Sequence, residues 1–130
     1  MKVRRLPVDT GRSGWLEVLK EKAAPVELRS NISADYLIIG AGFAGLSAAR
    51  RIGQLAPSAG VVLLDATQIG SGPAGRNSGF MIDLPHELSS SDYSSSCAND
   101  RRQIGLNRQA IAFAAEAVAE YGLPDETFQR

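Results

Sequence analysis

The 130-residue chain has little of what marks several classes of protein. Its single cysteine excludes an intrachain disulfide and leaves too few ligands for a structural zinc site. Lysine plus arginine and aspartate plus glutamate both number 14, and no basic stripe occurs, so nucleic-acid binding is not expected. No segment reaches the roughly 18 apolar residues that a membrane span needs. These absences favour a globular domain, for which the 44% hydrophobic content supplies a core.

The N-terminus does not fit a signal peptide. Positive charges occur at Lys2, Arg4 and Arg5, but Pro7 and Asp9 prevent an apolar segment from following them. We therefore expect a soluble, cytoplasmic protein.

The most informative stretch is residues 35–45, with the sequence DYLIIGAGFAG. An apolar run typical of a strand buried on both faces ends in Gly40, Gly42 and Gly45, and a helical segment follows. Gly40 permits a tight turn, Gly42 lets a pyrophosphate approach the backbone, and Gly45 lets the helix pack on the strand. This arrangement predicts a dinucleotide-binding fingerprint.

A second predicted strand strengthens that interpretation. Residues 61–64 read VVLL and lead into Asp65, which lies 25 positions after Gly40. A carboxylate at this place accepts hydrogen bonds from an adenosine ribose and repels a 2′-phosphate. The pattern therefore favours FAD or NAD over NADP.

The next segment, residues 69–80, reads IGSGPAGRNSGF and is rich in glycine and serine. Its backbone amides can approach a ligand closely, and Arg76 has no acidic neighbour nearer than Asp83. A loop of this composition suits an anion or an electron-rich ring.

With these motifs, residues 15–130 resemble the D-amino-acid-oxidase-type FAD-dependent oxidoreductases. The resemblance implies FAD as cofactor, with the loop around Arg76 lying along it and close to the flavin ring. Asp65 departs from the family, which more often has glutamate there, so the carboxylate reaches less far. The expected cofactor-binding residues are Gly40, Ala41, Gly42, Phe43, Ala44, Gly45, Asp65, Ala66, Ser71, Gly72, Arg76, Asn77, Ser78 and Gly79.

The expected fold is α/β, with a Rossmann-like βαβ FAD-binding unit of the glutathione-reductase type. Residues 1–33 form an N-terminal arm, and residues 34–130 form the N-terminal portion of the FAD-binding domain. The first strand is followed by a helix over about residues 44–55, and a longer helix over about 99–121 stops at Gly122. Phe80, Met81 and Ile82 are typical of the start of another buried element.

Three single residues need an interpretation. Trp15, the only tryptophan, is expected to anchor the arm on the globular body. Cys97 is expected to be a bystander thiol, and His86 a structural or exposed residue, with a place near substrate as its alternative.

The resemblance implies oxidation of an amine or amino acid by hydride transfer to flavin, giving an imine. Such enzymes are several hundred residues long, so the chain is expected to be active only with a second polypeptide that completes the FAD and substrate domains. No catalytic residue is assigned, because the family's substrate-binding groups lie later in the sequence. The alternative is a non-catalytic regulatory subunit that binds NAD or an adenine nucleotide.

Overall fold

A computed structural model describes residues 11, 13–19, 24, 26–84 and 97–129. His86 and the serine-rich segment 89–96 lie outside the described residues. The chain divides into two units, Met1–Ser78 and Gly79–Arg130, each considered by itself.

The first unit contains the βαβ arrangement. A short helix α1 (Gly14–Val18) precedes strand β1 (Tyr36–Ile39), helix α2 (Phe43–Leu55), strand β2 (Val61–Leu64) and a 3₁₀ turn (Pro73–Gly75). The two strands are parallel, with Tyr36 opposite Val61 and Ile39 opposite Leu64. The predicted strands and the predicted first helix are therefore confirmed.

Backbone hydrogen bonds close the unit at the start of both strands. The amides of Asp35 and Tyr36 donate to the Gly60 carbonyl at 2.9 and 3.1 Å. In return, the Gly60 amide donates to Asp35 Oδ2 at 2.7 Å. The Asp35 carboxylate thus holds the starts of the two strands together, at the opposite end of β1 from Gly40.

The expectation that β1 is buried on both faces is wrong for the described residues. Leu37 is 59% exposed and Ile39 is 81% exposed, whereas all of β2 is half-buried. Side chains alternate along a strand, so Leu37 and Ile39 project from the face opposite Ile38, which is the β1 side chain that approaches Gly45 of helix α2. The apolar run therefore has the composition of a central strand, although β1 pairs with only one strand among the described residues.

The second unit is built on helix α3 (Cys97–Glu120). The helix ends as predicted, because Gly122 has a φ of +59° and the Leu123 amide donates to the Val118 carbonyl at 3.0 Å. Arg108 Nε lies 2.8 Å from Asp83 Oδ2, joining the helix to the segment before it. Among the described residues, no helix is long and apolar enough to cross a membrane.

The expectation of a buried element beginning at Phe80 is wrong. Residues 80–83 form neither helix nor strand, and Phe80 is 82% exposed. An extended apolar segment becomes a strand only when a neighbouring strand satisfies its amides and carbonyls, and none does so here among the described residues.

Candidate cofactor-binding site

The first glycine turn, residues 40–45, connects β1 to α2. Gly40 has a φ of +101°, which glycine adopts readily, and its amide donates to the Leu64 carbonyl at 2.7 Å. A β-carbon at position 45 would lie 1.8 Å from the Gly40 carbonyl oxygen. Positions 40 and 45 therefore need glycine for the fold itself, irrespective of any ligand.

Glycine at position 42 is not required by the fold in the way that it is at positions 40 and 45. It caps the N-terminus of α2, and its carbonyl accepts the Leu46 amide at 3.0 Å. A β-carbon there would meet only Ala74 Cβ, at an ordinary distance of 3.7 Å. The fold thus tolerates a side chain at position 42, next to the first-turn amides of Phe43, Ala44 and Gly45, which lack intrahelical acceptors.

Asp65 holds the first turn to the end of β2. Its Oδ2 accepts the Ala41 amide at 2.7 Å, and its Oδ1 accepts the amide and hydroxyl of Thr67 at 2.9 and 3.2 Å. Ala41 is 2% exposed, so its amide cannot depend on solvent for a partner.

These contacts favour the charged carboxylate. The Ala41 amide, then the Thr67 amide, lower the pKa of Asp65 below its ordinary value of 3.8, with smaller contributions from the Thr67 hydroxyl and the Ala66 amide. Burial opposes the shift and is outweighed. A negative charge is therefore fixed at the place where the fingerprint predicts a ribose.

The second glycine turn, residues 70–75, repeats the geometry of the first. Its sequence GSGPAG matches GAGFAG at positions 40–45 in all three glycines and in the alanine. Gly70 has a φ of +74°, and a β-carbon at position 75 would lie 1.7 Å from its carbonyl oxygen. The backbone angles of Gly72, −77° and −165°, are close to those of Gly42, −88° and −170°. The same spacing of three glycines and an alanine is visible in the sequence, but this repeat was not predicted.

A chain of hydroxyl contacts joins the two turns. Thr67 Oγ1 lies 2.6 Å from Ser71 Oγ, and either hydroxyl can be the donor. Each hydroxyl has one hydrogen, so Thr67 donates to Asp65 or to Ser71, and Ser71 donates to the Gln68 carbonyl at 2.7 Å or to Thr67. Thr67 and Gln68 were not predicted. A threonine two residues after an aspartate is a common turn arrangement and could have been recognised from that spacing.

Arg76 and Asn77 stabilise the second turn from within. Arg76 Nε donates to the Ser71 carbonyl at 2.9 Å, and the Asn77 side-chain amide donates to the Ala74 carbonyl. Arg76 also donates to the Gly11 carbonyl. Both side chains therefore donate to main-chain carbonyls of the turn or of the segment before the sheet.

The predicted residues of the first unit lie around two adjoining turns, and Gly79 is the exception. It begins the second unit, with a φ of +80°. The Asp65 bond to Ala41 and the approach of Gly42 to Ala74 join the elements that carry them. The predicted residues in this first unit are Gly40, Ala41, Gly42, Phe43, Ala44, Gly45, Asp65, Ala66, Ser71, Gly72, Arg76, Asn77 and Ser78. No group of three histidine, cysteine, aspartate or glutamate side chains in the described ranges could hold a metal ion.

Two comparisons identify the class of protein. The family model described as FAD dependent oxidoreductase, of the DAO type, matches residues 35–130, and the chain belongs to this family. The chain is also similar to gamma-glutamylputrescine oxidoreductase of Escherichia coli (strain K12), with 33% identity over 72 residues. That match covers 55% of this chain and 16% of the relative. No solved structure matches the chain significantly.

Asp65→Ala is expected to weaken binding of the cofactor by about 1.5–3 kcal/mol, the usual cost of losing a charge-assisted hydrogen bond. Flavin affinity measured by fluorescence titration checks this. Asp35→Ala is the matched control, because Asp35 also accepts a backbone amide at 2.7 Å but at the opposite end of the strands. If both variants lose the same affinity, Asp65 has no special role in binding.

The stability contributed by Asp65 is expected to depend on pH in one direction. Because its pKa is lowered on folding, the contribution is fully present well above 3.8 and is lost as the pH falls through the lower, folded value. Urea midpoints of the wild type and Asp65→Ala should differ at neutral pH and converge in acid. A constant difference throughout would contradict an ionised Asp65.

Proposed function

We propose that this chain is the FAD-binding portion of an oxidoreductase that oxidises an amine or amino acid to an imine. Membership of the family and the oxidoreductase activity of the similar E. coli protein support this. The single observation that carries the proposal is the pair of glycine turns held beside the ionised Asp65.

The turns fit a dinucleotide. Position 42 has room for a β-carbon in the fold, so its glycine is better explained by a ligand that must approach the backbone. The N-terminus of α2, a helix of 13 residues, favours the negative charge of a pyrophosphate. Asp65 would accept a ribose hydroxyl and repel a 2′-phosphate, which favours FAD over an NADP-like ligand.

When bound, FAD would accept a hydride from the carbon that bears the amine, and the resulting imine would be hydrolysed. This chain's own contribution is to bind and orient the cofactor. The second turn and the residues after it, Ser71, Gly72, Arg76, Asn77, Ser78 and Gly79, would contact the cofactor near its flavin end. Arg76 would supply a guanidinium there, which donates to the Ser71 and Gly11 carbonyls.

The substrate class is tested by anaerobic reduction. The complete protein is mixed with γ-glutamylputrescine, other amines, amino acids and 2-hydroxy acids, and the oxidised-flavin absorbance is followed. We expect an amine or amino acid to bleach it. Reduction by hydroxy acids alone would contradict the proposal.

We also propose that further polypeptide covers β1 and carries the substrate domain, in the form of a second, larger chain. The exposure of Leu37 and Ile39 supports this, because exposed apolar patches of this kind mark interaction surfaces. Intact mass analysis of everything that co-purifies tests it. Recovery of residues 1–130 alone as a monomeric, cooperatively folding flavoprotein would contradict it.

A further inference from the structure

The segment before the sheet contacts the second glycine turn directly. Ser13 is 1% exposed, and its hydroxyl donates to the Gly75 carbonyl. Trp15 Nε1 donates to the Asn77 carbonyl at 2.7 Å. Each bond spans 62 positions of sequence, so each is a tertiary contact that no local preference requires.

A residue next to the second turn also donates a hydrogen bond to the N-terminal segment. Arg76 lies between the two accepting residues and donates to the Gly11 carbonyl. The same guanidinium holds the Ser71 carbonyl at 2.9 Å through Nε. One side chain thus joins Gly11 in the N-terminal segment to Ser71, near the start of the second turn.

A turn rich in glycine loses much conformational entropy when it is ordered, so contacts from outside the turn help to stabilise it. Gly70, Gly72 and Gly75 have wide conformational freedom when unfolded or detached, and fixing them costs free energy. If the turn is ordered before a ligand arrives, that cost does not reduce the affinity for the ligand. The hydrogen bonds that the Gly75 and Asn77 carbonyls accept from Ser13 and Trp15 help to order the turn in this way.

We infer that Ser13 and Trp15 are positioning residues, which hold the second turn in the conformation that receives the flavin. The inference rests on the proposed FAD binding. It assigns the N-terminal arm a role in the cofactor site in addition to the packing role predicted for Trp15. Neither side chain is required to contact the cofactor, since Ser13 acts through the Gly75 carbonyl and Trp15 through the Asn77 carbonyl two residues after the turn.

The test uses Ser13→Ala and Trp15→Phe in the protein as isolated, with any polypeptide that accompanies it. Trp15→Phe keeps an aromatic ring and removes the N–H donor. Val18→Ala is the matched control, because Val18 lies in the same short helix and is 70% exposed. Three quantities are measured: amide hydrogen exchange, flavin affinity, and the absorption spectrum of the bound flavin.

For both variants we expect faster exchange in peptides covering residues 70–78 and unchanged exchange in those covering 36–64. Flavin affinity should fall roughly five- to tenfold, the scale of one hydrogen bond, and the flavin bands should shift. Val18→Ala should match the wild type in all three measurements.

Unchanged exchange in residues 70–78 would overturn the inference, as would altered exchange with unchanged affinity and spectrum. Equal acceleration in both sets of peptides would also overturn it, since that indicates general destabilisation. In each of these results the wild type still binds flavin. A wild type without flavin would instead overturn the proposed function, and the positioning role with it.

Discussion

Gly42→Val is expected to abolish flavin binding while the βαβ unit remains folded. The backbone of Gly42 is extended, with a φ of −88°, so valine introduces no left-handed strain. Its β-carbon would lie 3.7 Å from Ala74 Cβ, and the loss of a glycine cap costs only about 1 kcal/mol. Its methyl groups would, however, occupy the approach to the first-turn amides of α2.

The measurement is a flavin titration alongside circular dichroism and urea unfolding. We expect at least a hundredfold loss of affinity, equivalent to ~2.7 kcal/mol, with an intact far-ultraviolet spectrum. Gly42→Ala provides a graded companion and should fall between the wild type and valine. Stoichiometric flavin in the valine variant would defeat the fingerprint interpretation.

Gly45→Ala, three residues further along, is expected to destabilise the fold itself, whereas Gly42→Val is expected to affect the ligand site. Its β-carbon would lie 1.8 Å from the Gly40 carbonyl oxygen, and 3.0 Å from the carbonyl carbon. Both atoms belong to the backbone of a turn that is itself bonded to Leu64, so neither can move cheaply. We expect the free energy of unfolding to fall by at least ~3 kcal/mol, the upper range for overpacking.

Gly53→Ala is the control for this prediction. It makes the same chemical change in the same helix, at a position where a β-carbon would meet nothing within 4 Å. Since alanine is a better helix former, Gly53→Ala should stabilise the protein by about 0.5–1 kcal/mol. If urea unfolding shows the two variants to be equally stable, the close approach of Gly45 to Gly40 is not a feature of the fold.

The Gly42 and Gly45 variants distinguish two roles of glycine in the fingerprint, namely access for a ligand and close packing of the backbone. Gly45 serves the packing of helix on turn, and Gly42 is free to serve a ligand. The sequence alone predicted both roles from the spacing of the motif. The β-carbon distances make the distinction quantitative.

Local patterns predicted the local structure well. Four-residue apolar runs followed by turn residues became β1 and β2 at the predicted positions, and glycine at position 122 ended α3. Each of these depends on local sequence, such as a continuous apolar run or a glycine that accepts a positive φ. The family assignment was predicted from the same local motifs and is confirmed.

Long-range contacts could not be predicted in this way. Nothing near Ser13 or Trp15 indicates that their partners are carbonyls 62 positions later. Asp65 was predicted to face a ribose, and its bond to the Ala41 amide depends on how α2 brings the two strand ends together. The burial of β1 was overestimated because composition indicates what a strand can bury, whereas exposure depends on which elements pack on the faces of the sheet.

The central claim is that the two glycine turns and Asp65 bind FAD. The most direct test is the absorption spectrum of the isolated protein, followed by release of its ligand and mass measurement. We predict a yellow protein that releases FAD in a one-to-one ratio with the chain. A colourless protein that binds NAD, reported by a change in fluorescence, would contradict the account.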